Sequence, residues 1–132
     1  MAKMKNPNKL YWIKKEITQI ENQIKELTVL SAVSMDGSIK GSSPSSPVER
    51  FYDRLEKLSS KLVALREKQL IEEERIETFI ETIDDEEIRV LARNRYIECM
   101  SYTDIGKEHF MDRTTVYRKL QSYVEERTKD NE

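Results

Sequence analysis

The chain has 132 residues, 36% of them charged and 37% hydrophobic, and a formal net charge of −2. That length excludes two large cores, and the apolar residues are too regularly spaced for a wholly disordered chain, so one elongated, all-α protein is expected. The single Cys99 excludes an internal disulfide, and the basic start is followed by no apolar run of signal or membrane-spanning length; a cytoplasmic protein without membrane association is expected.

The first periodic segment starts after Pro7, with Asn8 as its candidate cap and Asn6 as the alternative. Leu10, Ile13, Ile17, Ile20, Ile24 and Leu27 follow at alternating steps of three and four, opposite Lys14, Lys15, Glu16, Gln19, Glu21 and Lys25. This heptad spacing predicts a coiled-coil-like helix. Residues 31–47 are rich in Ser, Gly and Pro and lack periodicity, which predicts a flexible connector.

A second long helix is expected from Pro47, with Ser46 as cap and Glu49 as the partner three residues on. Its seam, Phe51, Leu55, Leu58, Leu62 and Leu65, meets the polar Gln69 and Glu72 before resuming at Ile76, Phe79 and Ile83. The two seams predict an antiparallel helical hairpin over residues 1–83. Ile13, Ile17, Ile20, Ile24, Leu55, Leu58 and Leu62 are its candidate oligomerisation residues, pairing either within one chain or between chains. The C-terminal half of the second helix has no counterpart in the first, so it packs on the remainder of the chain or on a second subunit.

Residues 84–132 are expected to form the second domain. The acidic run from Glu72 to Glu87 is interrupted by the single basic Arg75, whereas residues 89–119 carry Arg89, Arg93, Arg95, Lys107, Arg113, Arg118 and Lys119. The acidic total thus conceals a basic segment. Asp84 and Asp85 are candidate caps of a helix running to about Glu98, with Ile88, Leu91, Ala92 and Tyr96 inward. Arg89, Arg93 and Arg95 either flank phosphates or offset the acidic run.

The next residues have the spacing of a helix-turn-helix. Ser101 and Asp104 make a capping-box-like start for a short helix from Tyr102. Ile105 is its inward residue, and Gly106 has no side chain to hold off a crossing helix. Asp112 is the next cap candidate, with a third helix from Arg113 anchored by Val116 and Leu120. Arg113, Thr114, Tyr117, Arg118 and Gln121 then face outward, with Thr115 beside them. Arg suits a guanine edge, Gln an adenine edge, Thr a phosphate or a thymine methyl, and Tyr a phosphate. Double-stranded DNA is therefore the expected partner.

The run from Arg95 to Gly106, followed by Asp112 to Leu120, resembles region four of bacterial sigma factors, over about the final third of the chain. Joined to a coiled N-terminal half, it also resembles phage-encoded late transcription activators of the RinA and ArpU type. The resemblance implies a transcription activator of phage late or packaging genes. It also implies that Arg113, Thr114, Tyr117 and Arg118 face DNA, with Tyr102 and Thr103 near the phosphate backbone. Two positions depart from the pattern: Phe110 stands where many members have Gly, and His109 where Leu is usual.

One such module reads few bases, so a homo-oligomer, foremost a dimer on two half-sites, is expected. No enzyme is expected, and no cofactor or metal. His109 is the sole histidine, Cys99 has no base at a recognisable spacing, and no Gly-rich phosphate loop occurs. Two other functions fit the pattern: an adaptor contacting RNA polymerase, and the DNA-recognition subunit of a phage packaging machine.

Overall fold

The computed structural model describes Met4, residues 7–35 and residues 46–130, and every regular element among them is helical. In chain order α1 spans Lys9–Met35, α2 Pro47–Ile80, α3 Glu86–Ala92, α4 Tyr102–His109 and α5 Arg113–Asp130; a π-helical turn, Arg93–Ile97, extends α3.

Asn8 immediately precedes α1, and its carbonyl accepts the Trp12 N–H at 3.3 Å. The helix runs on to Met35, which corrects the expected connector at its N-terminal end. Ser31-Ala-Val-Ser-Met35 contains no Gly or Pro, and an established helix gains a backbone hydrogen bond with each added residue without a new nucleus. The expected connector's middle, residues 36–45, lies outside the described residues. At the start of α2 the Ser46 hydroxyl accepts the Glu49 N–H at 3.1 Å, with Pro47 as the first helical residue. This helix stops at Ile80, short of the expected Ile83. The chain turns there, the Thr82 N–H donating to the Phe79 carbonyl at 3.0 Å and the Ile83 N–H to that of Ile80 at 2.9 Å.

The chain divides into two compact units, residues 13–68 and residues 1–12 with 69–132. The expected domain boundary at 83/84 falls inside the latter, and the division at 68/69 coincides with the polar interruption in the α2 seam. In the unit of residues 13–68, Ile13, Ile17 and Ile20 are buried with Leu58 and Leu65, and Ile24, Leu27 and Leu62 are partly buried against them. Each fully buried side chain of this size contributes about 1.5–3 kcal/mol relative to exposure. Arg66 donates to Glu21 at 2.7 Å on the rim of this cluster.

In the other unit the C-terminal half of α2 supplies Ile76, Phe79 and Ile80 to a core completed by Ile83, Ile88, Leu91, Ile105, Val116 and Leu120. The surplus half of the long helix thus shares one buried cluster with α3, α4 and α5 of its own chain. Glu72, which interrupts the seam, is buried and ion-paired with Arg75, with Lys9 at 4.0 Å. An unpaired carboxylate there would carry a large desolvation penalty. Among the described residues no buried side-chain nitrogen or oxygen lacks a hydrogen-bond partner.

Candidate nucleic-acid interface

The support for the interface begins at α3. Asp85 is its N-cap, the carboxylate accepting from the Glu87 N–H at 2.9 Å and the Ile88 N–H at 3.3 Å. Glu86 and Glu87 in the first turn suit the positive end of the helix. The expected continuous helix to Glu98 becomes π-helical after Ala92, the Glu98 N–H reaching back to the Arg93 carbonyl at 2.9 Å. The chain leaves through Cys99 at φ 60°, and the Met100 N–H closes on the Asn94 carbonyl at 2.9 Å.

The three arginines here have intramolecular partners. Arg89 donates to the Ile83 carbonyl at 2.6 Å and Arg93 to Glu77 at 2.8 Å. Arg95 donates to the Met100 carbonyl at 2.9 Å while its guanidinium carbon lies 4.2 Å from the Tyr102 ring centre. These contacts favour the structural reading of the three over phosphate contact. Arg93 offsets one carboxylate of the acidic run, as the sequence allowed.

α4 begins as its cap predicts, the Ser101 hydroxyl accepting the Asp104 N–H at 3.1 Å. Ile105 is fully buried. The helix closes with the Met111 N–H donating to the Gly106 carbonyl at 2.8 Å, a Schellman-type end that places one residue in the left-handed region. That residue is Phe110, at φ 57° and ψ 47°. A β-carbon on Gly106 would overlap the Met111 carbonyl oxygen and lie 3.4 Å from the Arg113 nitrogen. Glycine is required here by the close approach of the turn.

Sequence reasoning had no role for His109. Its Nε2 lies 2.8 Å from Oδ1 of the buried Asn94, whose amide nitrogen donates to Glu98 at 3.2 Å. This contact joins α4 to the π-helical turn. Asn94 beside the arginines was the available signal, but the partner lies 15 residues away in sequence.

Asp112 directly precedes α5, and its carbonyl accepts the Val116 N–H at 3.1 Å, the position of a cap. Val116, Leu120 and Val124 are buried. Lys119 donates to Glu87 at 2.6 Å, tying α5 to α3. That hydrogen bond holds the Lys119 ammonium above the ordinary lysine value, against the opposing effect of desolvation.

Arg113, Thr114, Tyr117 and Arg118 are exposed, while Thr115 and Gln121 are half-buried. At about 3.6 residues per turn, Thr114, Arg118 and Ser122 form the outward stripe, whereas Arg113 and Tyr117 both lie to one side of it, on the side of Val124, and are exposed in the first two turns of the helix. Ser122 was absent from the expected set, although its i+4 spacing from Arg118 was readable; its hydroxyl donates to the Lys119 carbonyl at 2.9 Å. Tyr102 is half-buried, its ring 5.3 Å from that of Tyr117 in an edge-to-face pair as well as against Arg95. It therefore supports Tyr117 from below. Thr103 is exposed and lines a shallow hollow with Lys107, Phe110 and Arg113.

Arg113 and Arg118 form no ion pair among the described residues, unlike Arg93 and Lys119. The outward face of α5 thus presents two guanidinium groups with hydroxyls between them, a donor set suited to anionic or acceptor-rich partners. Among the described residues no group of three His, Cys, Asp or Glu side chains could hold a metal ion, and no helix is long and apolar enough to cross a membrane. Comparison with protein-family models, curated proteins and solved structures gave no match.

Proposed function

We propose that this protein is a sequence-specific DNA-binding regulator of transcription in the bacterial cytoplasm, an activator of phage late or packaging genes. In this reading an antiparallel hairpin of α1 and α2 carries a helix-turn-helix built from α4 and α5, with α5 entering the major groove. The hairpin is supported by the Arg66–Glu21 pair and the cluster shared by the two helices. The helix-turn-helix is supported by the three-residue link between α4 and α5 and by the Gly106 approach.

The observation that carries the reading is the division of α5 into two faces. Val116, Leu120 and Val124 hold one face in the core while Thr114 and Arg118 stand in solvent opposite, with Arg113 and Tyr117 exposed in the first two turns. A recognition helix needs both: an anchored side to fix its angle, and donors free to meet base edges and phosphates. The chemistry involves no catalysis.

A homodimer belongs to this reading because two modules read two half-sites. Ile13, Ile17, Ile20 and Leu58 are buried within one chain, so the dimer contact draws on residues outside that cluster.

The test is binding of the full chain to duplex DNA from its own genomic neighbourhood and to random duplex, across a salt series. Affinity for both should fall as salt rises, because phosphate contacts release counterions, while preference for one sequence persists. Absence of binding at low salt would overturn the reading and direct attention to RNA polymerase as the partner.

A further inference from the structure

Phe110 is 96% exposed, the most exposed of the large apolar residues described, and it holds a left-handed backbone conformation at φ 57°. Both features oppose stability. A residue with a β-carbon is disfavoured in that region by roughly 1–2 kcal/mol, whereas Gly occupies it freely. An exposed aromatic ring gains nothing from burial in the core. Nothing in the fold of α4 requires an aromatic side chain at its end, since the closing bond is made by backbone, Met111 N–H to the Gly106 carbonyl. The return on this residue therefore lies outside the chain.

Its surroundings identify the partner. Lys107 and Arg113 are exposed, line the same hollow as Phe110, and pair with no carboxylate among the described residues. The exposed carboxylate of Asp112 lines the hollow as well, so the two cations leave it with a net positive charge of one; a ring beside them suits a surface that is anionic at its edges and apolar at one point. The major groove of duplex DNA meets that description, with phosphates along its walls and the C5 methyl of thymine as its apolar group. Phe110 also stands three residues before Arg113, at the end of α5 from which the exposed face begins. Resting on the DNA-binding reading above, we propose that Phe110 packs on a thymine methyl and makes this protein selective for thymine at one position of its site. Lys107 and Arg113 would hold the flanking phosphates.

The test starts from a random duplex pool enriched on the wild-type full chain. Each thymine of the enriched site is then replaced singly by deoxyuridine, which removes only the methyl group, and binding is measured for wild type, Phe110→Ala and Phe110→Gly. One replacement should weaken wild-type binding by about threefold to fivefold, the worth of burying one methyl group, and leave both variants unchanged. Both variants should bind the all-thymine site more weakly than wild type while melting no lower, which separates the lost contact from a lost fold. If wild type and variants bind alike and no deoxyuridine matters, the thymine contact is overturned while DNA binding stands. If wild type retains no duplex, the DNA-binding reading falls and this inference with it; capture of a protein partner that depends on Phe110 would then account for the exposed ring.

Discussion

The Met111 carbonyl oxygen occupies the space that a β-carbon on Gly106 would need. The same glycine's carbonyl accepts the Met111 N–H at 2.8 Å, so the two residues are held at close range from both sides. Neither can retreat without opening the turn that sets α5 against α4. Gly106→Ala should therefore destabilise the protein by about 2–3 kcal/mol, in the range of an overpacked site, even though Ala is the better helix former. Denaturant unfolding measures this; an unchanged midpoint would mean that the turn relaxes freely.

Phe110→Gly should act in the opposite direction. The left-handed conformation at this position is free of strain only for Gly, and the ring it removes is almost fully exposed. A gain of about 1 kcal/mol is expected, reduced by the greater entropy of Gly in the unfolded chain. Thermal unfolding of the variant beside Phe110→Ala isolates the backbone effect, because Ala loses the ring but keeps the strain.

Arg118→Ala removes a guanidinium from the middle of the outward stripe without touching Val116, Leu120 or Val124. If Arg118 reads a guanine, the variant should lose about 1–3 kcal/mol on the preferred site and far less on random duplex. Equal losses on both would make Arg118 a phosphate contact, with the salt dependence reduced by about one ion. Folding should be unchanged to within about 0.5 kcal/mol, as for other exposed substitutions.

Replacing Ile17 and Ile20 by Asn tests where the seam is satisfied. Both are buried against Leu58 and Leu65 of their own chain, so the double variant should lose helicity and several kcal/mol of stability. Its assembly state at low concentration should match that of wild type wherever the unit of residues 13–68 remains folded. Conversion of an oligomer to a well-folded monomer would show instead that the seam pairs between chains. Circular dichroism together with sedimentation distinguishes the two outcomes.

The features legible beforehand were those whose physics is local. Ser46, Asp85 and Ser101 were readable as caps because a side-chain oxygen reaches an amide two or three residues on, whatever the rest of the chain does. The alternation of three and four among Leu10, Ile13, Ile17 and Ile20 marked a buried face, and these residues are buried. Gly106 stood out because a missing side chain in a short helix suggests a close approach. The continuation of α1 to Met35 was less legible, since serines and a β-branched valine are weak local evidence against an already growing helix. The π-helical turn at Arg93–Ile97 was not legible at all, having no composition signal of its own.

By itself, then, the sequence determined that the chain is helical, where most helices begin, and which face of each turns inward, because periodicity and capping act over a few residues. Tertiary structure alone decided the destinations of those faces. The C-terminal half of α2 could have met a second subunit, but Ile76, Phe79 and Ile80 are buried in one cluster with Leu10 and with residues of α3, α4 and α5 of the same chain. Arg93 found Glu77, Lys119 found Glu87, and His109 found Asn94, each across 15 residues or more. Such pairings depend on the three-dimensional convergence of helices, which apolar packing sets. They distinguish Arg93 and Lys119, which have carboxylate partners, from Arg113 and Arg118, which remain exposed on α5.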